Sequence, residues 1–136
     1  MGFWSKIDFF EPWEWKDDPE KSSKTLIIAL NRARMMTFSQ KFPNGIPIHI
    51  HVCYEESGHA ENSYHYSGEA VDFHFSPGTD CWHELIILAA QPEFGAIGFY
   101  PNWSPRPGWH VDIRKRKSKL YWSYTNGEYR YGPFAL

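Results

Sequence analysis

Long apolar runs are missing from this sequence. The two longest, around Leu26 to Leu30 and Leu85 to Ala90, fall well short of the roughly 20 apolar residues that a membrane-spanning helix needs, so no membrane insertion is expected. Cysteine is scarce as well. Cys53 and Cys81 allow at most one disulfide, and neither has a partner at C-x-x-C spacing, which excludes a thiolate-based metal site and leaves the redox compartment open. A surplus of positive charge is also absent: 14 Lys and Arg stand against 16 acidic residues, for a net charge of -2. No overall field draws the chain to nucleic acid or anionic lipid, and a soluble, non-nucleic-acid role is expected. The opening Met1-Gly2-Phe3-Trp4-Ser5-Lys6 is followed by Asp8, Glu11 and Glu14 where a secretory leader needs an unbroken apolar run. Synthesis in the cytoplasm without a signal peptide is the resulting expectation. Repeats, low-complexity tracts and linkers are lacking too, and 136 residues make one ordinary domain, read as 1–136 and as a monomer.

Aromatic residues, in contrast, are plentiful. They make up 18% of the chain, with 7 Trp, 8 Tyr and 10 Phe, and hydrophobic residues reach 42%, a composition that excludes disorder. Residues 1–20 are aromatic and acidic, interrupted by Pro12 and Pro19, and read as an arm that packs its tryptophans onto the core. From Ser22 or Ser23 as a cap, Leu26, Ile27, Leu30, Ala33 and Phe38 recur at helical spacing until Pro43-Asn44-Gly45. Ile46 to Tyr54 then alternates, with Ile46, Ile48, Ile50 and Val52 on one face and His49, His51 and Cys53 on the other, which is strand period. A loop containing Gly58 leads to Ser63-Tyr64-His65, and Ala70 to Phe75 reads as a second strand. Asp80 caps a helix through Trp82, Leu85, Ile86 and Ala89 that ends before Pro92. Strands follow at Gly95 to Tyr100 and Trp109 to Ile113, joined by a Pro-rich loop, and Asn126-Gly127 marks a C-terminal hairpin over 120–131. The fold class is α+β, a small, mainly antiparallel sheet with two helices. The basic run Arg114 to Lys119 reads as a solvated turn, with attraction to an anionic wall polymer as the alternative.

The chemistry concentrates in Ser63-Tyr64-His65-Tyr66-Ser67-Gly68-Glu69-Ala70-Val71-Asp72. An imidazole on a loop, a glycine that permits a tight turn and a carboxylate on the next strand can converge on one divalent ion. A third protein ligand is still needed, and Trp109-His110-Val111-Asp112 can supply a second imidazole from a neighbouring strand. With seven histidines in the chain, spacing alone leaves chance pairings open.

These residues resemble a known signature. Ser63-x-His65-x-x-Gly68-x-Ala70-x-Asp72, with Trp109-His110 later in the chain, is similar to the motif of the zinc D-Ala-D-Ala carboxypeptidases and dipeptidases. That group includes murein endopeptidases and phage endolysins and shares its fold with the hedgehog signalling domain. The likeness covers residues 22–114 and extends to the order of elements; Ala96-Ile97-Gly98-Phe99-Tyr100-Pro101 ahead of His110-Val111-Asp112 resembles the branch whose last ligand sits in a Gly-x-Gly-x-Tyr-Pro…His-x-Asp context, with Ala96 in place of the first glycine. The resemblance implies one zinc ion per chain on His65, Asp72 and His110, with water polarised there toward a peptide carbonyl, and peptidoglycan stem peptides or cross-links as the partner. Ser63, Tyr54 and Tyr100 are the expected substrate contacts, with Tyr66 and Trp103 at the same cleft.

Two positions depart from the pattern. Many relatives carry a carboxylate three residues before the last histidine, where this chain has Pro107; Asp112 is the substitute base, or else it orients His110 or pairs with Arg114. Relatives also carry an arginine ahead of the metal loop, whereas Val52-Cys53-Tyr54-Glu55 has none, so cleavage within a cross-link stands level with carboxypeptidase action. A zinc-containing binding module of the same fold, without turnover, is the alternative function. A wall substrate for a chain without a leader points to a phage or prophage lysis or tail protein. His59, His74 and His83 are read as structural or surface histidines. His49-x-His51-x-x-x-Glu55 also has the form of a cupin metal motif, which the helices and the missing second motif oppose. His110-x-Asp112 has the form of an iron facial triad, but no histidine follows it.

Overall fold

Ser23 begins the first helix by accepting a hydrogen bond from the Leu26 amide at 3.4 Å, and α1 runs over Lys24–Met35. Its apolar stripe of Leu26, Ile27, Leu30 and Ala33 is fully buried, the geometry expected when 3.6-residue spacing aligns side chains on one face. Phe38 lies beyond the helix and is exposed. The structure, a computed structural model, describes residues 2–16 and 18–132. Asp80 caps the second helix, α2 (Cys81–Ala89), through its carboxylate and the His83 amide at 2.9 Å.

The strands are β1 (Ile48–Val52), β2 (Ala70–Phe75), β3 (Ala96–Tyr100), β4 (Gly108–Asp112), β5 (Leu120–Thr125) and β6 (Glu128–Tyr131). They form one six-stranded sheet in the order β1-β2-β4-β3-β5-β6. Neighbours are antiparallel except β3 and β5, which run parallel, so the fold is α+β with a mixed sheet. The parallel pair arises because the basic segment 113–119 arches across the end of β3. Gly95 lets it pass: a Cβ there would sit 1.8 Å from the Arg114 carbonyl oxygen. Lys119 fastens the far end of the arch to the carbonyls of Gln91 and Phe94. Within it only Lys115 to Ser118 are exposed, and the solvated-turn reading holds for them alone.

One face of the sheet carries Ile48, Ile50, Val71, Phe73, Trp109 and Val111 into a single core shared with α1. Period-2 alternation therefore turns Asp72, His74, His110 and Asp112 to the other face. The predicted alternation of β1 fails at its end, where Cys53 is buried and Val52 is not. A register shift between Ile50 and Val52 explains this, since one extra residue reverses the inward and outward sides. The N-terminal arm consists of 3₁₀ turns (Phe3–Lys6, Pro12–Trp15 and Pro19–Lys21). Trp15 is fully buried and Trp4 packs against the core, but Trp13 is exposed, so the arm commits only part of its aromatic surface.

Candidate metal centre

The site starts from a tight turn. Ser63 accepts a bond from the His65 amide at 3.2 Å and opens the 3₁₀ turn Tyr64–Ser67. Gly68 closes it in the left-handed region, at φ 70°. Any other residue would be strained there, and a Cβ would lie 1.8 Å from the Lys21 carbonyl oxygen. The turn presses His65 into the interior while Asp72 follows from β2 and His110 from β4. Asp72 and His110 are directly opposed across the antiparallel ladder, where facing side chains are about 5 Å apart at Cβ. Ligand atoms of His65, Asp72 and His110 lie within 4.8 Å of one another, and this buried group can hold a metal ion.

Each imidazole is oriented from behind. His65 Nδ1 lies 2.8 Å from the Cys53 carbonyl oxygen, which only accepts, so Nδ1 carries the proton and Nε2 faces the site. His110 turns the other way, with Nε2 at 2.8 Å from Asp112 Oδ2 and Nδ1 at 2.8 Å from Asp72 Oδ1. His65 Nε2 stands 3.3 Å from that same Asp72 oxygen. With neutral His65 this contact sets two lone pairs against each other, and a cation between them satisfies both. Burial works against the Asp72 carboxylate, but the hydrogen bond from His110 prevails and holds its pKa far below the usual carboxylate range. Burial likewise disfavours charge on His110, yet hydrogen bonds to Asp112 and Asp72 outweigh it and raise its pKa.

Asp112 has no solvent exposure. Its Oδ1 accepts from Arg114 Nε at 2.8 Å and its Oδ2 from the same guanidinium at 2.7 Å, while Oδ2 also meets His110. A carboxylate gripped by a guanidinium fork and an imidazole is placed to steer His110. It has no open side from which to take a proton from a substrate. Arg114 is further enclosed between the rings of Tyr64 and Trp122, 4.7 and 5.6 Å from the centroids.

A cleft of about 450 Å³ opens over the three ligands, and Ser63 and Tyr100 line it as expected. Tyr54 instead lines a separate hollow with His51 and Glu55, and Lys21 lies over its ring at 5.0 Å. Neither Tyr66 nor Trp103 lines the metal cleft. Tyr66 works from behind, where its hydroxyl accepts from the His59 amide at 2.8 Å and donates to the His59 carbonyl at 2.6 Å. That clamp brings His59 into the cleft wall, stacked on His65 at 4.4 Å between centroids, with Nε2 3.0 Å from Glu55 Oε1. Only the i, i+4 spacing of Glu55 and His59 could have pointed to this role. His83 is a surface residue beside its cap Asp80.

Glycines shape the cleft wall in a way that residue patterns did not reveal. A Cβ on Gly98 would strike the Trp122 indole at 2.4 Å, and one on Gly108 would strike Trp103 at 2.3 Å. Both indoles therefore lie against bare backbone, Trp122 at the cleft wall and Trp103 outside it. Trp122 is 5.1 Å from the His110 ring and donates to the Tyr100 hydroxyl at 3.2 Å. Tyr129 and Tyr131 of the C-terminal hairpin extend this wall and are largely exposed. Among the described residues, no helix is long and apolar enough to cross a membrane. Compared with known proteins, the chain matches no family model, no curated protein and no solved structure.

Proposed function

We propose that this protein is a zinc metallopeptidase that hydrolyses peptide bonds in bacterial peptidoglycan, on stem peptides or cross-links. The observation that carries the reading is the ligand set itself: two imidazoles and one carboxylate from three separate elements, each imidazole fixed from behind, beneath an open cleft. Catalytic zinc sites use three protein ligands of these types and leave one position open, whereas structural sites close all four. The fit of the donors, the opposed lone pairs of His65 and Asp72, and the motif resemblance to D-Ala-D-Ala peptidases all support zinc. Zinc, when bound, supplies a Lewis acid and makes hydroxide available near neutral pH.

The chain's own residues do the rest. His65 Nε2, His110 Nδ1 and Asp72 are the ligand groups. Asp112 positions His110 and is not the base. For proton transfer the geometry favours His59, which holds a proton between its Nε2 and Glu55 beside the ligands. Tyr100 stays protonated because burial pushes its phenol up, and it remains a hydrogen-bond donor at the cleft wall. The hedgehog-like zinc fold and a phage or prophage source belong to the same reading.

The binding-module alternative is favoured by one observation, that the carboxylate nearest the ligands, Asp112, is wholly buried. Digestion of purified muropeptides, followed by mass spectrometry, separates the readings. New free termini that vanish with chelator are expected; full zinc occupancy with no cleavage of any stem peptide would establish the module instead.

A further inference from the structure

The sequence feature His49-x-His51 is not used by the site above, and Glu55, the remaining residue of its cupin-like form, is turned to His59. His49 and His51 point away from the core because Ile48 and Ile50 point into it. His74 of β2 is the direct cross-strand partner of His49. Three imidazoles thus meet on the open face, beside the first site but sharing no residue with it. His51 Nε2 and His74 Nδ1 face each other at 2.5 Å, and the His49 and His74 rings stack with centroids 5.0 Å apart. The register shift between Ile50 and Val52 turns His51 across the strand toward His74. Trp103 closes the far side, its ring 5.3 Å from that of His51.

We propose that His49, His51 and His74 form a second site for a borderline divalent transition ion such as zinc. The facing nitrogens of His51 and His74 aim at one point between the two strands, and imidazole is a ligand suited to such ions. Two residues at i and i+2 on one strand with a third on its neighbour give three donors on one side, and three-imidazole sets are known to hold zinc. His51 and His74 already face one another, and their nitrogens part slightly to admit an ion between them. His49 is exposed and rests on Ser76 Oγ through its Nε2, so its side chain rotates from that hydroxyl to complete the set. The alternative is a plain imidazole–imidazole hydrogen bond, which asks nothing of His49.

Zinc counted per chain by mass spectrometry, after dialysis of the full-length protein against Zn²⁺, distinguishes them. The wild type should retain about two ions, and His51→Ala and His74→Gln should each retain about one. His65→Ala should also retain about one, now on the histidine triad, so this result stands or falls independently of the peptidase reading. His74 is nearly buried, so folding is checked by circular dichroism; the exposed His49→Ala keeps the test decisive if His74→Gln does not fold. A single ion in the wild type that disappears in His65→Ala, or a second ion that survives in the His49→Ala/His51→Ala double variant, overturns the proposal.

Discussion

Single side chains divide the labour at the candidate metal centre, and two substitutions separate their roles. Asp112→Asn keeps the shape but weakens the grip on His110 Nε2, so zinc affinity should fall by about 10- to 100-fold, with activity returning in excess zinc. A large loss of rate at full zinc occupancy would instead make Asp112 the base. His59→Ala should do the opposite, lowering turnover by roughly 10²- to 10⁴-fold while zinc content is unchanged; normal turnover in that variant removes His59 from the chemistry. Glu84 is a different case, buried on α2 with Oε1 accepting from Trp109 Nε1 at 2.9 Å and no hydrogen bond to Oε2. Burial raises its pKa; the Trp109 bond and Arg106, 4.0 Å from Oε2, pull the other way without prevailing, and Asp80 adds to the rise. Because the folded chain binds this proton more tightly than the unfolded chain, the stabilising effect is complete below the unfolded pKa. It is lost as pH rises through the folded value. Glu84→Gln should therefore melt higher than the wild type near neutral pH, with the gap closing in acid. An equal gap at both pH values would show that the charge is not the cause.

At the level of elements, helix caps and strand periods were readable because each depends on neighbours a few residues away. Ser23 and Asp80 cap where expected, and Ala70–Phe75 carries Asp72 out of the core as its alternation requires. The convergence of His65, Asp72 and His110 was readable only through a motif, since the opposition of β2 and β4 is a long-range pairing that no local period encodes. Three other features stayed hidden. The bulge that inverts β1 and the parallel β3–β5 pair depend on partner strands distant in sequence, and the Tyr66 clamp on His59, seven residues away, lies in a loop that has no period to read. The bare backbone at Gly98 is a fourth. Gly98→Ala drives a Cβ into the Trp122 indole, and overpacking of this kind costs about 1–3 kcal/mol. Denaturant unfolding should show that loss together with a weaker hold on zinc; unchanged stability would mean that Trp122 has room to move.

For the molecule as a whole, a metal held by His65, Asp72 and His110 would join the turn after residue 63 to two strands of the sheet, a tie that the unfolded chain lacks. Zinc at a free concentration 100 times its Kd stabilises the native state by about 2.7 kcal/mol, which for a chain of this size moves Tm by roughly 10 °C. Chelated and zinc-loaded samples that melt together would show the turn to be rigid without the ion. The Trp122 indole, flat on Gly98 and 5.1 Å from His110, gives the protein an optical property of its own. Zinc has a filled d shell and no redox chemistry, and leaves a neighbouring excited indole to emit, whereas cobalt, with its open shell, drains the excitation. Cobalt loading should therefore dim part of the intrinsic fluorescence that zinc loading preserves, and Trp122→Phe should shrink the difference, so that the chain reports in light which ion it carries.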